Sequence, residues 1–509
     1  MQIDCDSLRL FYEIFEDSRA FLRNHSKYQY LYYEKISYDK VYLTKLLIFA
    51  KQIIRVMLIR FVVSNFLSFD KECEFNMLPA PYKTHMDHVC SLPKIKLLRG
   101  AAIYGANGAG KSNLIKAISF LQDAVISGNL PPKASERHFK LKAENIMLPS
   151  VFDVEYTWNK KYFGYHLEFR DNIITNESLY ELGFANEDKM LFERTYSPKD
   201  KRIKITLGGK EEKDPKFGML VRLMEENILD NSKLLLSQDK MLKISKISSA
   251  CDWFRLGLQV IFPKSVFGAL TRALSESEDF SGFVNRIITS LDTGVSKIGV
   301  EEIDMDDFFG KNSEGLKQGL KDSIDQTGKE QIFHSKSWQG NDLIAAKTQD
   351  GRYVVRYPVA YHIDSQRNDV AFYLSDESDG TRRLLDIIPA IDMFLSQDTT
   401  IIVDEINQSI HPSLLRELIS KIMHTPSALG QFIITTHECN LLDHDIYRQD
   451  EIWFVEKKNG STQMYSLSDF NPRADLKLQK GYIQGRFGAI PFLGNLRSLN
   501  WEDEDYAKN

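Results

Sequence analysis

The most explicit chemistry in this chain lies in "GANGAGKS", where Gly105, Gly110, Lys111 and Ser112 fit the spacing G-x-x-x-x-G-K-[ST]. Glycines there let the backbone curl so that several N–H groups face a polyphosphate. A lysine at this place reaches the outer phosphates, and the serine hydroxyl holds Mg²⁺. Asn107, Gly108 and Asn113 belong to the same segment and count with it as cofactor-binding. The implied cofactors are ATP and Mg²⁺.

A second piece is "TTIIVDE". Its β-branched run reads as a buried parallel strand, which delivers Asp404 and Glu405 to the edge where α/β folds keep their sites. Asp404 would complete the metal shell with Ser112. Glu405 would orient and polarise an attacking water. His437 follows the strand "FIITT" one strand–helix–strand unit later, so it belongs on the neighbouring strand, in reach of a γ-phosphate. Taken alone, the acidic pair is an ordinary turn into solvent and the histidine an ordinary packed residue. The loop upstream favours the chemical reading. In "LSDESDGTRRLL", Ser378 and Gly380 start a helix whose apolar face is Leu384, Ile387, Ile388, Ile391 and Leu395. An exposed serine and glycine at a helix N-terminus suit an anion, or simply cap the helix.

Other elements must position these residues. "KLLRGAAIYG" reads as a strand before the loop, and Leu114, Ile115, Ile118 and Leu121 recur at helical spacing after it. "SVFDVEYTW", "YFGYHLEFR" and "RIKITLGG" read as strands of an antiparallel sheet. "GMLVRLMEENILDNSKLLL", "ACDWFRLGLQVIF" and "FSGFVNRIITSLDTG" make residues 218–350 a mostly helical insertion. "YVVRYPVAYHI" returns to strand, and helix then alternates with strand, which implies parallel pairing. The expected organisation is an N-terminal extension over 1–56, one half of a nucleotide-binding head over 57–217, the insertion over 218–350, and the second half over 351–509. The fold class is α/β.

Composition narrows the setting. With 43% hydrophobic residues and a net charge of -5 over 509 residues, the chain reads as globular and carries no basic tail. DNA binding stays possible through a local groove. The apolar stretch Val41–Val63 is interrupted by Lys45, Lys51, Arg55 and Arg60, so a helix running into a strand is expected rather than a membrane span. Five scattered cysteines without metal-ligand or redox spacing suggest reduced thiols in a cytoplasmic protein.

Roughly three hundred residues separate Lys111 from Asp404. With "GANGAGKS", "SDGTRR", "IIVDE" and "THE" in that order, and an early "NFLSF", the chain resembles the ABC-type ATPase heads of the SMC, RecF and double-strand-break repair families. The resemblance implies an ABC-ATPase head of P-loop NTPase type, acting as an ATPase. It implies a homodimer or higher oligomer in which Ser378 and Gly380 of one head close over the nucleotide of the other. It implies that Asn65 and Ser68 lie near the nucleotide. Relatives usually carry a Mg²⁺-sensing glutamine on a strand after the loop's helix, yet 123–237 contains none. "DEINQSIHP" and "GYIQGRFGAIPFL" are similar to compact AAA-family ATPases of bacterial anti-phage and abortive-infection systems, RloA-like and AriA-like. That similarity implies a nucleotide-gated sensor or scaffold. Related proteins continue into a nuclease domain, whereas about seventy residues follow His437 here, so the nuclease or toxin effector is expected as a separate protein. The alternative is a DNA-repair or recombination ATPase of the RecF/SMC kind.

Overall fold

The computed structural model describes residues 55–291, 293–310, 313–334, 342–473 and 476–490. The readings made for residues 1–54 and for the end of "GYIQGRFGAIPFL" lie outside them. Strands β1 (Met57–Ser64), β2 (Cys73–Asn76), β3 (Val89–Ser91), β4 (Lys96–Leu98) and β5 (Gly100–Gly105) precede helix α1 (Lys111–Ser127). Then come β6 (Ser150–Trp158), β7 (Lys161–Arg170), β8 (Ile173–Glu181), β9 (Lys189–Ser197), β10 (Arg202–Leu207) and β11 (Leu258–Ile261). Helices α2 (Leu270–Glu276) and α3 (Glu278–Ser290) lead to β12 (Lys297–Asp304), α4 (Glu314–Thr327), β13 (Gln331–His334), β14 (Asp342–Lys347), β15 (Tyr353–Ile363) and β16 (Asp369–Tyr373). The chain continues through α5 (Asp379–Ser396), β17 (Thr400–Val403), α6 (Pro412–Met423), β18 (Gln431–Thr436), β19 (Ile452–Lys458) and β20 (Ser461–Ser466).

The central sheet has the order β11-β17-β18-β5-β19-β20. Its neighbours pair in parallel except β19 with β20. Residues on these strands alternate between two cores, as a period of two requires. Ile103, Ile402, Ile433 and Val455 face one core, which also takes Leu114, Ile118 and Leu121 of α1. Ala102, Ile401, Val403, Ile434 and Phe454 face the other, which takes Leu384, Ile388 and Ile391 of α5 and Leu415 and Ile419 of α6. Both faces are therefore covered, which explains why "TIIV" and "QFIITT" are buried along their whole length.

A second, antiparallel sheet, β10-β9-β8-β7-β6-β1-β2, packs its inner residues Phe61, Phe152, Tyr165 and Leu167 into the first core, so α1 lies between two sheets. A third joins β12-β15-β14-β13, with β16 added along β15. Met305, Ile324, Leu343 and Val355 form its small core.

The segment 218–350 is less helical than its sequence suggests. "ACDWFRLGLQVIF" breaks after Gly257, and Leu258–Ile261 joins the central sheet beside β17. Trp253 and Phe254 are wedged against Tyr156, so aromatic packing ends the helix where the periodicity alone would continue it. The later part of the segment supplies β12, β13 and β14. Among the described residues, no helix is long and apolar enough to cross a membrane. Cys73, Cys90, Cys251 and Cys439 are free thiols.

Candidate functional site

Strand register brings the chemically marked residues to one edge. Val403 pairs with Ile434, Thr436 with Tyr104, and Gly105 with Val455. The residues that follow, Asp404, His437 and the glycine-rich loop, therefore leave the sheet side by side at its C-terminal end.

Asp404 is 1% exposed. Its Oδ1 accepts from the Ser112 hydroxyl at 3.2 Å and from the Thr435 hydroxyl at 2.5 Å. The same Thr435 oxygen accepts the Glu405 N–H at 2.8 Å. Glu405 itself sits at φ 47, in the left-handed region that disfavours a residue with a Cβ. Thr435 thus pins both carboxylate residues from the next strand. Below them, Arg383 of α5 is buried, and its guanidinium donates to the carbonyls of Asp404 at 3.3 Å and Phe262 at 3.2 Å. Burial lowers the pKa of Arg383.

The loop is a preformed cradle. Gly110 lies at φ 122, and a Cβ there would stand 2.2 Å from Thr462 Oγ1, so only glycine fits. Thr462 donates to Ala109 O at 2.9 Å and accepts the Ser68 hydroxyl at 2.7 Å, while Asn113 donates to that Ser68 oxygen at 2.7 Å. Lys111 is 5% exposed, and its ammonium is folded onto the carbonyls of Gly105 at 2.6 Å and Ala106 at 3.2 Å. Burial lowers its pKa. A desolvated cation held by backbone carbonyls is the environment an anion improves. The residues present therefore fit a nucleotide phosphate chain, and Ser112 with Asp404 fits the accompanying Mg²⁺.

His437 is exposed at the end of β18. Asn407 holds it: the Asn407 amide lies 3.0 Å from Nε2, and Asn407 Oδ1 accepts the Thr436 hydroxyl at 2.9 Å. Ser378 and Gly380 lie at the start of α5. Ser378 is exposed, and its hydroxyl accepts the Thr381 N–H at 3.1 Å. Gly380 is pressed on the loop after β17, where a Cβ would meet Ser409 O at 2.7 Å. Beside it opens a cleft of about 370 Å³ lined by Lys264, Asp379, Arg382, Gln408 and Ser409, among others.

Two expectations change. Asn65 and Ser68 part company: Ser68 joins the loop network, whereas Asn65 is 2% exposed and committed elsewhere. Its amide donates to Asn145 O and Leu148 O, and its oxygen accepts Phe139 N–H. Asn65 shapes the 139–149 loop, and a saturated buried amide has no capacity left for a nucleotide. The strand ending beside Asp404 on the side away from His437 is β11, which follows the glutamine-free stretch 123–237. That strand carries Gln259, which pairs with Ile401, and Asp404 N donates to Ile261 O at 2.8 Å.

Thr435, Asn407, Thr462 and Arg383 were not singled out from sequence. Thr435 and Arg383 lie inside the "FIITT" and "SDGTRR" stretches, and Asn407 follows the acidic pair closely. Thr462 carries no signal, since its role depends on β20 lying against the loop.

Residues 101–443 match the family described as "AAA domain, putative AbiEii toxin, Type IV TA system". No curated protein matches the chain. Among solved structures it is similar to an SmcHead bound to the C-winged helix domain of ScpA, with 13% identity, TM-score 0.40, and coverage of 80% of this chain and 97% of that one. It is also similar to an SMC head domain from Thermotoga maritima, with 12% identity, TM-score 0.33, and coverage of 80% and 98%. A third is an Smc head domain with an extended coiled coil bound to the C-terminal domain of ScpA, derived from Pyrococcus furiosus. It shows 11% identity and TM-score 0.34, over 85% of this chain and 99% of that one.

Proposed function

The chain belongs to this AAA-domain family, and from that premise we propose that it is an ATP-hydrolysing ABC-type head that works as a dimer with two nucleotides between its copies. One observation carries the reading. The glycine-rich loop, Asp404 and Glu405 are assembled and interlocked within one chain, while Ser378 stands exposed at the start of α5. A second copy's Ser378 and Gly380 would complete the pocket.

Bound MgATP supplies the phosphoanhydride to be cleaved. Lys111 and the loop N–H groups hold its phosphates, and Ser112 and Asp404 hold the metal. Glu405, whose backbone N–H is held by Thr435, takes the proton of the attacking water. His437, braced by Asn407, presents a hydrogen-bonding ring beside the same edge.

The finer reading is a nucleotide-gated sensor or scaffold in anti-phage defence that controls a separate effector, as in RloA-like and AriA-like proteins. The family description names a toxin of a toxin–antitoxin system, which agrees with that setting. A path from nucleotide to the rest of the chain also supports it. His362 of β15 lies 2.6 Å from Glu377, which directly precedes Ser378. Movement of the α5 N-terminus on closure would pull on the third sheet.

Glu405→Gln tests the core of the proposal. The variant should bind ATP, turn it over at least about a hundredfold more slowly, and elute as a dimer with ATP but not without. A Glu405→Gln protein that binds ATP and stays monomeric by light scattering would refute the shared-pocket reading.

A further inference from the structure

A second constellation lies at the other end of the central sheet. His85 and His88 occupy the turn before β3, and His424 caps the C-terminus of α6. One ligand nitrogen from each ring lies within 4.8 Å of the other two. The His85 and His88 rings stack at 4.9 Å between centroids, and His424 meets both edge-on at 5.4 and 5.6 Å.

The outer nitrogen of each ring is already assigned. His85 Nε2 lies 2.6 Å from His444 O, and His424 Nδ1 lies 2.9 Å from Ser420 O. A carbonyl only accepts, so each of those nitrogens carries the proton. The remaining nitrogen of a neutral ring is then a lone pair. His88 Nδ1 lies 2.9 Å from a carboxylate oxygen of Glu451, and both residues are fully buried. His88 Nε2 is buried without a hydrogen-bond partner among the described residues. Three rings that bring ligand nitrogens within 4.8 Å of one another offer a donor set that a cation can bridge. Histidines whose far nitrogens donate to carbonyls and a carboxylate are the arrangement that orients imidazoles on zinc. His85 adds strain, since it is held at φ 44.

We propose that His85, His88 and His424 form a zinc site at the sheet edge opposite the glycine-rich loop. Zn–N bonds of about 2.0–2.1 Å place tetrahedral ligands about 3.4 Å apart, so the rings close by about an ångström on binding. His424 is exposed at a helix end and is the least enclosed of the three rings. Its exposure leaves the fourth position to solvent. The metal would tie the turn before β3 to the end of α6. Through His444 it would also tie both to the loop that follows His437. Sequence reading passes over this site because His85 and His88 show only H-x-x-H, and His424 comes more than three hundred residues later.

The test uses the full chain without an affinity tag, stripped with a chelator and desalted. After zinc is added and excess removed, elemental analysis should find one zinc per chain. Cobalt should give the visible bands of a tetrahedral ion. His424→Ala and His85→Ala should each retain less than about a tenth of the zinc, with unchanged circular dichroism. Glu451→Gln should bind about 10–100-fold more weakly. Zinc should raise the melting temperature of the wild type and not that of His424→Ala. Wild-type protein that retains no zinc, or His424→Ala and His85→Ala proteins that retain as much as wild type, would overturn the proposal. None of these readouts depends on ATP turnover.

Discussion

At the end of β17, Asp404 is 1% exposed and accepts hydrogen bonds from Ser112 and Thr435. At the start of α5, Ser378 is exposed and its hydroxyl turns back on Thr381 of its own helix. Both corners carry residues suited to a phosphate chain, but only the first is built to completion inside one chain. The two are nevertheless joined. Arg383, one turn into α5, donates to the Asp404 carbonyl, and Gly380 presses on Ser409 in the loop after β17. If a second copy docks at the α5 corner as proposed, these contacts would carry its arrival to Asp404.

Mixing copies breaks this comparison most directly. Lys111→Ala and Ser378→Arg should each abolish ATP turnover alone, by about a hundredfold or more. In a shared-pocket dimer, one copy of each leaves one pocket with both defects and the other with none. Mixed protein should therefore regain up to about a quarter of wild-type turnover, since about half the dimers are mixed and each has one sound pocket. If both corners acted on the same chain's nucleotide, every pocket would be defective and mixing would restore nothing.

Thr435→Val probes the completed corner. It removes the hydroxyl that pins Asp404 and Glu405 while keeping the side-chain shape. The Mg²⁺ concentration for half-maximal turnover should rise about 10–100-fold, with metal-free nucleotide binding unchanged. An unchanged Mg²⁺ dependence would mean that Ser112 and the backbone suffice to hold Asp404.

The smallest effect concerns the unfinished corner. Burial pushes Asp386 of α5 up from 3.8 to about 6, while its carboxylate accepts Phe267 N–H. The folded chain thus holds this proton more tightly than the unfolded chain. The cost of ionising it is absent below about pH 4, grows to about pH 6 and is complete above that. Asp386→Asn keeps the accepting oxygen and removes the charge. It should melt about one to three degrees above wild type at pH 8 and coincide with it at pH 4. An equal difference at both pH values would show that the charge carries no penalty.

Much of this was legible in the chain. "GANGAGKS", "IIVDE" and the strand "FIITT" before His437 are local patterns, and buried parallel strands announce themselves as unbroken apolar runs. The periodicity of Leu114, Ile118 and Leu121 gave α1, because an amphipathic helix repeats its core contacts at short range. Where packing across long separations decides, the sequence is silent. Trp253 stacks on Tyr156 and ends a helix that periodicity would extend, which frees Leu258–Ile261 to pair with β17. Asn65, expected beside the nucleotide together with Ser68, instead gives its amide to the 139–149 loop.

The amino-acid sequence by itself determined the loop, the acidic strand end and their order, because glycine, lysine and paired carboxylates carry their chemistry within a few residues. Only the tertiary structure decided that Thr435 locks Asp404, that Thr462 closes on Gly110, and that His424 meets His85 and His88. Those encounters join residues far apart in the chain. They are set by strand register and by which side chains fill the space between sheets.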